Sequence, residues 1–224
     1  ALCGTRAAAR AAAATSCGAG PRIAAGRAPD PAAALKERIA AMASKLDRGS
    51  AMSPDQRRSM RELVLELAGR NPTPEPARAW GDPAPAGEAS STLRGDWDLV
   101  WSDAPDVARP SSVRTGQRIC EDAGGLRTIT NLVEVPLPWG TVELGVETTA
   151  VVESPKQVKL LIRGIDAKPS ASWPPFVPFL NVFDLFPKSS PGSPFGSFEV
   201  LYLDPDLRIT RTNSGYFTVN RRVA

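Results

Sequence analysis

The chain has 224 residues, 42% of them apolar and 23% charged, and no stretch approaches the roughly 20 consecutive apolar residues of a helical membrane span, so a soluble chain of one or two domains is expected. It contains no histidine, which excludes Ser-His-Asp and Cys-His nucleophile systems, histidine metal sites and imidazole acid–base chemistry. The formal charge of +3 arises from four arginines in the first 29 residues, leaving 23 basic and 24 acidic residues in the remainder, and a near-neutral body lacks the positive stripe by which proteins bind nucleic acid.

Residues 1–29 hold twelve alanines, Arg6, Arg10, Arg22 and Arg27, and no carboxylate. This is the composition of an organelle transit peptide or of a disordered tail, outside the fold. Chloroplast and mitochondrial leaders are not separable on composition. Cys3 and Cys17 lie in this leader, and Cys120 alone supports neither a disulfide framework nor a thiolate zinc site.

Two short amphipathic helices occupy residues 30–70. Asp30-Pro31 is an N-cap followed by proline at the first helical position, and Leu35, Ile39, Met42 and Leu46 recur at helical spacing up to Gly49. Ser53-Pro54-Asp55-Gln56 is a capping box, followed by a stripe of Met60, Leu63, Val64 and Leu67. Helices this short are marginal alone, so the pair is expected to dock on a larger body. Residues 71–92 carry Pro72, Pro74, Pro76, Pro83 and Pro85 and read as an extended linker. Trp80 is its one large apolar group, suited to anchor it on a neighbouring surface or to fold back on the chain itself.

From residue 93 to 224 the period of the pattern changes to two. Strands are predicted at 96–101, 116–120, 126–135, 142–153, 157–166, 196–203, 207–211 and 216–221. Turn residues separate most of them, including Gly124-Gly125, Ser154-Pro155, Asp204-Pro205-Asp206 and Asn213-Ser214-Gly215. Eight antiparallel strands joined mostly by short turns predict a mainly β fold, a closed up-and-down barrel able to enclose one apolar ligand or a filled core, with a two-sheet sandwich as the structural competitor.

Several strings in this order resemble the plastid lipid-associated protein (PAP/fibrillin) family. They are Leu46-Asp47-Arg48-Gly49 through Ser53-Pro54 and Leu63; Asn71-Pro72-Thr73-Pro74; Leu93 to Trp101; and the closing Tyr202-Leu203-Asp204-Pro205-Asp206-Leu207-Arg208-Ile209-Thr210-Arg211 with Gly215 and Phe217. The resemblance covers roughly residues 35–223. It implies a lipocalin-like barrel and residence in the plastid, peripherally on thylakoid membranes or plastoglobules. It also implies the handling of carotenoids, quinones or other prenyl lipids as non-covalent ligands, and it favours a chloroplast transit peptide for the leader. Asp204, Asp206, Arg208, Arg211 and Gly215 are its signature residues here.

Alternation through 206–211 puts Arg211 on the face of Leu207 and Ile209, read as inward. A buried guanidinium requires a partner, and an ion pair with Asp204 or Asp206 is favoured over a ligand head group. Asn131 shares the face of Ile129, Val133 and Val135, where a satisfied core amide or a ligand contact are both open. Trp97 and Trp101 are expected to fill the barrel floor or to form an aromatic wall for a polyene or quinone. Residues 173–186 concentrate Trp173, Phe176, Phe179, Phe183 and Phe186 around a single charge, three prolines deny the segment a regular ladder, and it is too short to cross a bilayer. A lid over the barrel mouth, a shallow membrane contact and a protein contact are equally open.

Two functions follow. The first is a plastid protein that binds or organises a hydrophobic isoprenoid. The second is a non-catalytic subunit of a photosystem or antenna complex that uses the same fold with a solid interior. No catalytic residue, metal site or nucleic-acid partner is expected, and no paired acid–base spacing suggests an enzyme.

Overall fold

The structure, a computed structural model, describes residues 31–80, 92–105, 113–138, 140–169 and 191–223. The leader and the aromatic segment with Trp173, Phe176, Phe179, Phe183 and Phe186 lie outside the described residues. Helix α1 spans Pro31–Lys45 and α2 spans Pro54–Ala68. The capping box is formed as expected: the Ser53 hydroxyl accepts from the Gln56 N–H, and the Gln56 side chain accepts from the Ser53 N–H.

Eight antiparallel strands follow: β1 (Gly95–Ser102), β2 (Arg114–Glu121), β3 (Arg127–Leu137), β4 (Gly140–Val152), β5 (Gln157–Pro169), β6 (Pro194–Leu203), β7 (Leu207–Thr212) and β8 (Phe217–Arg222). Each pairs with the next, and β8 returns to β1, closing a barrel. This is the lipocalin-like up-and-down order predicted, and the sandwich alternative is excluded. The ladders are uneven. β5 runs to Pro169 but meets β6 only through Gln157–Leu161, and β1 meets β2 only through Gly95–Asp98. On the outer face of β2 to β5 ion pairs replace packing, among them Arg114 with Asp98 and Glu134, Arg118 with Asp96, and Arg163 with Glu147.

The core has two parts. Inside the barrel, Trp97, Ile119, Ile129, Ala150, Val158, Leu160, Phe198, Val200 and Leu203 pack with Ala77, Trp80 and Leu93, which seal one end. The stretch read as a loose connector is therefore built into the core at residues 76–80, and Trp80 folds back on its own chain with its Nε1–H donating to the Ala77 carbonyl. Outside the barrel, Leu35, Ile39, Met60, Leu63, Val64 and Leu67 of the helices pack on Trp101, Tyr202, Leu207, Ile209, Phe217 and Val219. The helical pair is a cover for the outer face of β6, β7, β8 and β1.

Two buried carboxylates fasten that cover. Asp204 pairs with Lys36 of α1 and accepts from the Tyr202 hydroxyl. Asp103 accepts from Arg61 of α2 at 2.5 Å and from the Phe217 N–H at 2.7 Å. The turn between the helices passes close to β1 at Gly49, whose φ is +100° and where an added Cβ would sit 2.0 Å from the Ser102 carbonyl oxygen. Gly49→Ala is expected to lower stability by about 2 kcal/mol through positive-φ strain and displaced backbone, measured by urea unfolding.

Candidate functional site

Directly opposed residues in neighbouring strands point to the same face of a sheet. Trp97 lies opposite Gln117, Gln117 opposite Asn131, Asn131 opposite Val146 and Val146 opposite Ile165. This row faces inward, because one step toward the sealed end lie the fully buried Ile119 and Ile129. One step the other way lie Thr115, Val133 and Leu144, which remain partly exposed although they face the interior, as do Val146 and Ile165. Among the described residues the barrel is thus filled at one end; beyond the Gln117–Asn131 row the inward side chains are less completely buried, although Val142 further along is buried again.

Arg208 of β7 crosses this row. It is fully buried, with its guanidinium 4.9 Å from the centroid of the Trp97 ring, and its Nη2 donates to Gln117 Oε1. Gln117 Nε2 in turn donates to Asn131 Oδ1 at 2.7 Å. Because a guanidinium can only donate, it fixes the orientation of both amides in series. The relay leaves Arg208 Nε and Nη1, Asn131 Nδ2 and Thr115 Oγ1 buried without a hydrogen-bond partner. Among the described residues no carboxylate pairs with Arg208, and burial, with the nearby charge of Arg222, pushes its pKa down to about 9.

Arg222 shows what a structural arginine looks like in the same neighbourhood. It lies 4.2 Å from the Trp97 ring centroid, and each of its three nitrogens donates to a backbone carbonyl, those of Pro205, Arg94 and Thr92. Arg208 satisfies one nitrogen of three.

The residues singled out from sequence separate accordingly. Trp97 and Asn131 line the interior. Trp101 does not: an extra residue in β1, between Leu99 and Trp101 in the ladder with β8, rotates it outward beside Val219 under the helices, where its indole N–H contacts the Met52 sulfur. Arg211 is also outside, paired with Glu199 at 2.6 Å and not with Asp204 or Asp206. The face it shares with Leu207 and Ile209 is apolar because the helices cover it, so the polar face of β7, Arg208 and Thr210, is the inner one. Asp204 holds α1, Asp206 is exposed, and Gly215 adopts φ +81° in the turn between β7 and β8. Sequence reasoning missed Gln117 and Thr115 and gave Arg208 no position. The available signal was an amphipathic helix pair seeking a cover site, which makes alternation in the covered strand ambiguous.

Arg211→Ala is expected to change stability by less than about 0.5 kcal/mol, as for an exposed pair, in contrast to any change at Arg208. A surface groove of about 290 Å³ beside Gln157, Glu199 and Arg211 offers polar groups already paired with one another.

Among known families, the model PAP_fibrillin matches residues 33–220, from α1 into β8. No curated protein and no solved structure matches the chain.

Proposed function

The chain belongs to the PAP/fibrillin family of plastid lipid-associated proteins, and from that premise we propose that it holds a hydrophobic isoprenoid, a carotenoid, quinone or other prenyl lipid, in the accessible half of its barrel while residing peripherally on thylakoid membranes or plastoglobules. The observation that carries this reading is the inner wall of Val133, Leu144, Val146 and Ile165, apolar, inward and still partly exposed. A barrel packed solid for structural purposes would bury that wall as completely as it buries Ile119 and Ile129. The alternative, a subunit gripping a photosynthetic complex through residues 173–186, the helical pair and the Pro-rich connector, loses the helical part of that grip, because the apolar stripes of α1 and α2 are already consumed against the barrel. Holding a lipid requires no bond to be broken, so the role is non-catalytic.

Among the described residues no helix is long and apolar enough to cross a membrane. Attachment in this reading runs through the aromatic segment, since Trp and Phe partition into the bilayer interface without a basic patch. Replacing Phe179 and Phe183 with Ser is expected to shift the protein from the membrane to the soluble fraction on cell fractionation. The lipid itself is tested by purifying the protein from its native membrane and extracting it for absorbance and lipid mass spectrometry. A stoichiometric isoprenoid is the expected result; repeated recovery without lipid would favour the subunit reading.

A further inference from the structure

Resting on the lipid-holding part of the reading above, and departing from it in replacing a neutral isoprenoid by an anionic lipid, we propose that the barrel selects a lipid with an anionic oxygen head group, a long-chain carboxylate or a prenyl phosphate, seated on Arg208 with its chain along the Val133, Leu144, Val146 and Ile165 wall.

The argument is one of donors and charge. Three of the four unpartnered buried atoms, Arg208 Nε and Nη1 and Asn131 Nδ2, can only donate, and the fourth, the Thr115 hydroxyl, can donate as well. A site built for a neutral quinone or hydroxylated carotenoid would need one or two donors and no fixed charge. Here a full positive charge is buried, carries no counter-ion among the described residues, and stands at the start of an apolar, partly exposed wall. A buried unpaired cation is unfavourable until an anion joins it, and charge-assisted hydrogen bonds to a carboxylate or phosphate are the strongest available remedy. The Arg208–Gln117–Asn131 relay adds direction. Because Arg208 occupies Gln117 Oε1, and Gln117 Nε2 occupies Asn131 Oδ1, the free end of the relay presents N–H and repels any second donor. Arg222, on the same indole, is spent on carbonyls and does not compete for the head group.

The test uses the full chain and five probes: cis-parinaric acid, whose fluorescence reports entry into an apolar site; its methyl ester, with the same tail and no charge; palmitate; farnesyl phosphate; and β-carotene. The acid is expected to bind at least about tenfold more tightly than the ester, a ratio typical of one charge-assisted contact. Competition by farnesyl phosphate then distinguishes the two sources of anion: displacement of the acid at lower concentration than palmitate requires assigns the site to phosphates, and the reverse order assigns it to carboxylates. Arg208→Met is expected to collapse the acid-to-ester ratio to near one. Asn131→Leu leaves the cation in place and is expected to lower the ratio severalfold, which keeps the proposal testable if the first variant fails to fold. Equal binding of acid and ester by the wild-type chain overturns the anionic head group while leaving the lipid-holding role intact, and so does a preference for the acid that survives both substitutions. Failure of all five probes to bind instead removes the lipid-holding reading itself.

Discussion

Arg208→Met raises the stability of the ligand-free protein by about 2 kcal/mol, against the usual destabilising effect of a change in a core. The guanidinium is fully buried, and removing an ion of this size from water costs several kcal/mol after relaxation. Its compensations are one hydrogen bond to Gln117 and a face-on contact with Trp97, worth together about 2–3 kcal/mol. Methionine keeps most of the volume and the contact with the indole without the charge, at the expense of one unpaired Gln117 oxygen. The pH dependence follows from the same burial. Burial lowers the folded pKa to about 9, below the ordinary arginine value, so from about pH 9 upward the unfolded chain binds more protons than the folded one, and the wild-type protein gains stability as pH rises through that range. The advantage of the methionine variant is therefore largest below pH 9 and shrinks above it. Urea unfolding at pH 7 and pH 10 measures both effects, and a variant less stable than wild type at pH 7 would contradict the account.

Asp204→Ala lowers stability by about 4 kcal/mol, the largest single loss expected in the molecule. The carboxylate is buried, pairs with Lys36 of α1, accepts the Tyr202 hydroxyl, and accepts the N–H groups of Asp206 at 2.8 Å and Leu207 at 2.7 Å. Alanine strands all four donors together, two of them backbone groups at the start of β7. Burial alone would push this carboxyl up; the hydrogen bonds from Lys36, Tyr202 and the two backbone N–H groups outweigh it and hold the pKa below the ordinary 3.8. The stabilisation is thus complete above the ordinary carboxylate range and disappears as pH falls through the lowered folded value. Asp204→Asn keeps acceptors for the backbone and is expected to lose about half as much. Hydrogen exchange should show α1 loosening before the strands, because Lys36 is the ionic tie between that helix and the barrel; uniform loosening of helix and barrel would argue against this assignment.

Much of the fold could be read from the chain. The Ser53 capping box and the Met60 to Leu67 stripe depend on neighbours three and four residues away, and β4 alternates cleanly from Val142 to Val152 because only one of its faces is covered. The placement of residues within the site was less accessible, and for one physical reason. Where helices cover the outside of a strand, both faces are buried, and apolar alternation no longer identifies the interior. Leu207 and Ile209 mark the helix side, so Arg211 was assigned inward when Arg208 was the buried one. At Trp101 a single inserted residue reverses the face, and a bulge of that kind leaves no period-two signature. Trp80 looked like part of a linker because its prolines forbid a ladder, but a segment without a ladder can still plug a barrel end when one large ring reaches the core.

The helices splint only one side of the cylinder. β6, β7, β8 and β1 carry them, whereas β3, β4 and β5 face water through ion pairs, and β5 extends past its last β6 partner at Leu161. Fraying is expected first in the unsplinted half, which is also the half lined by Val133, Leu144, Val146 and Ile165. If the proposed lipid is held against that wall, a rate of exchange set by strand fraying would follow temperature far more steeply than one set by diffusion through a rigid mouth.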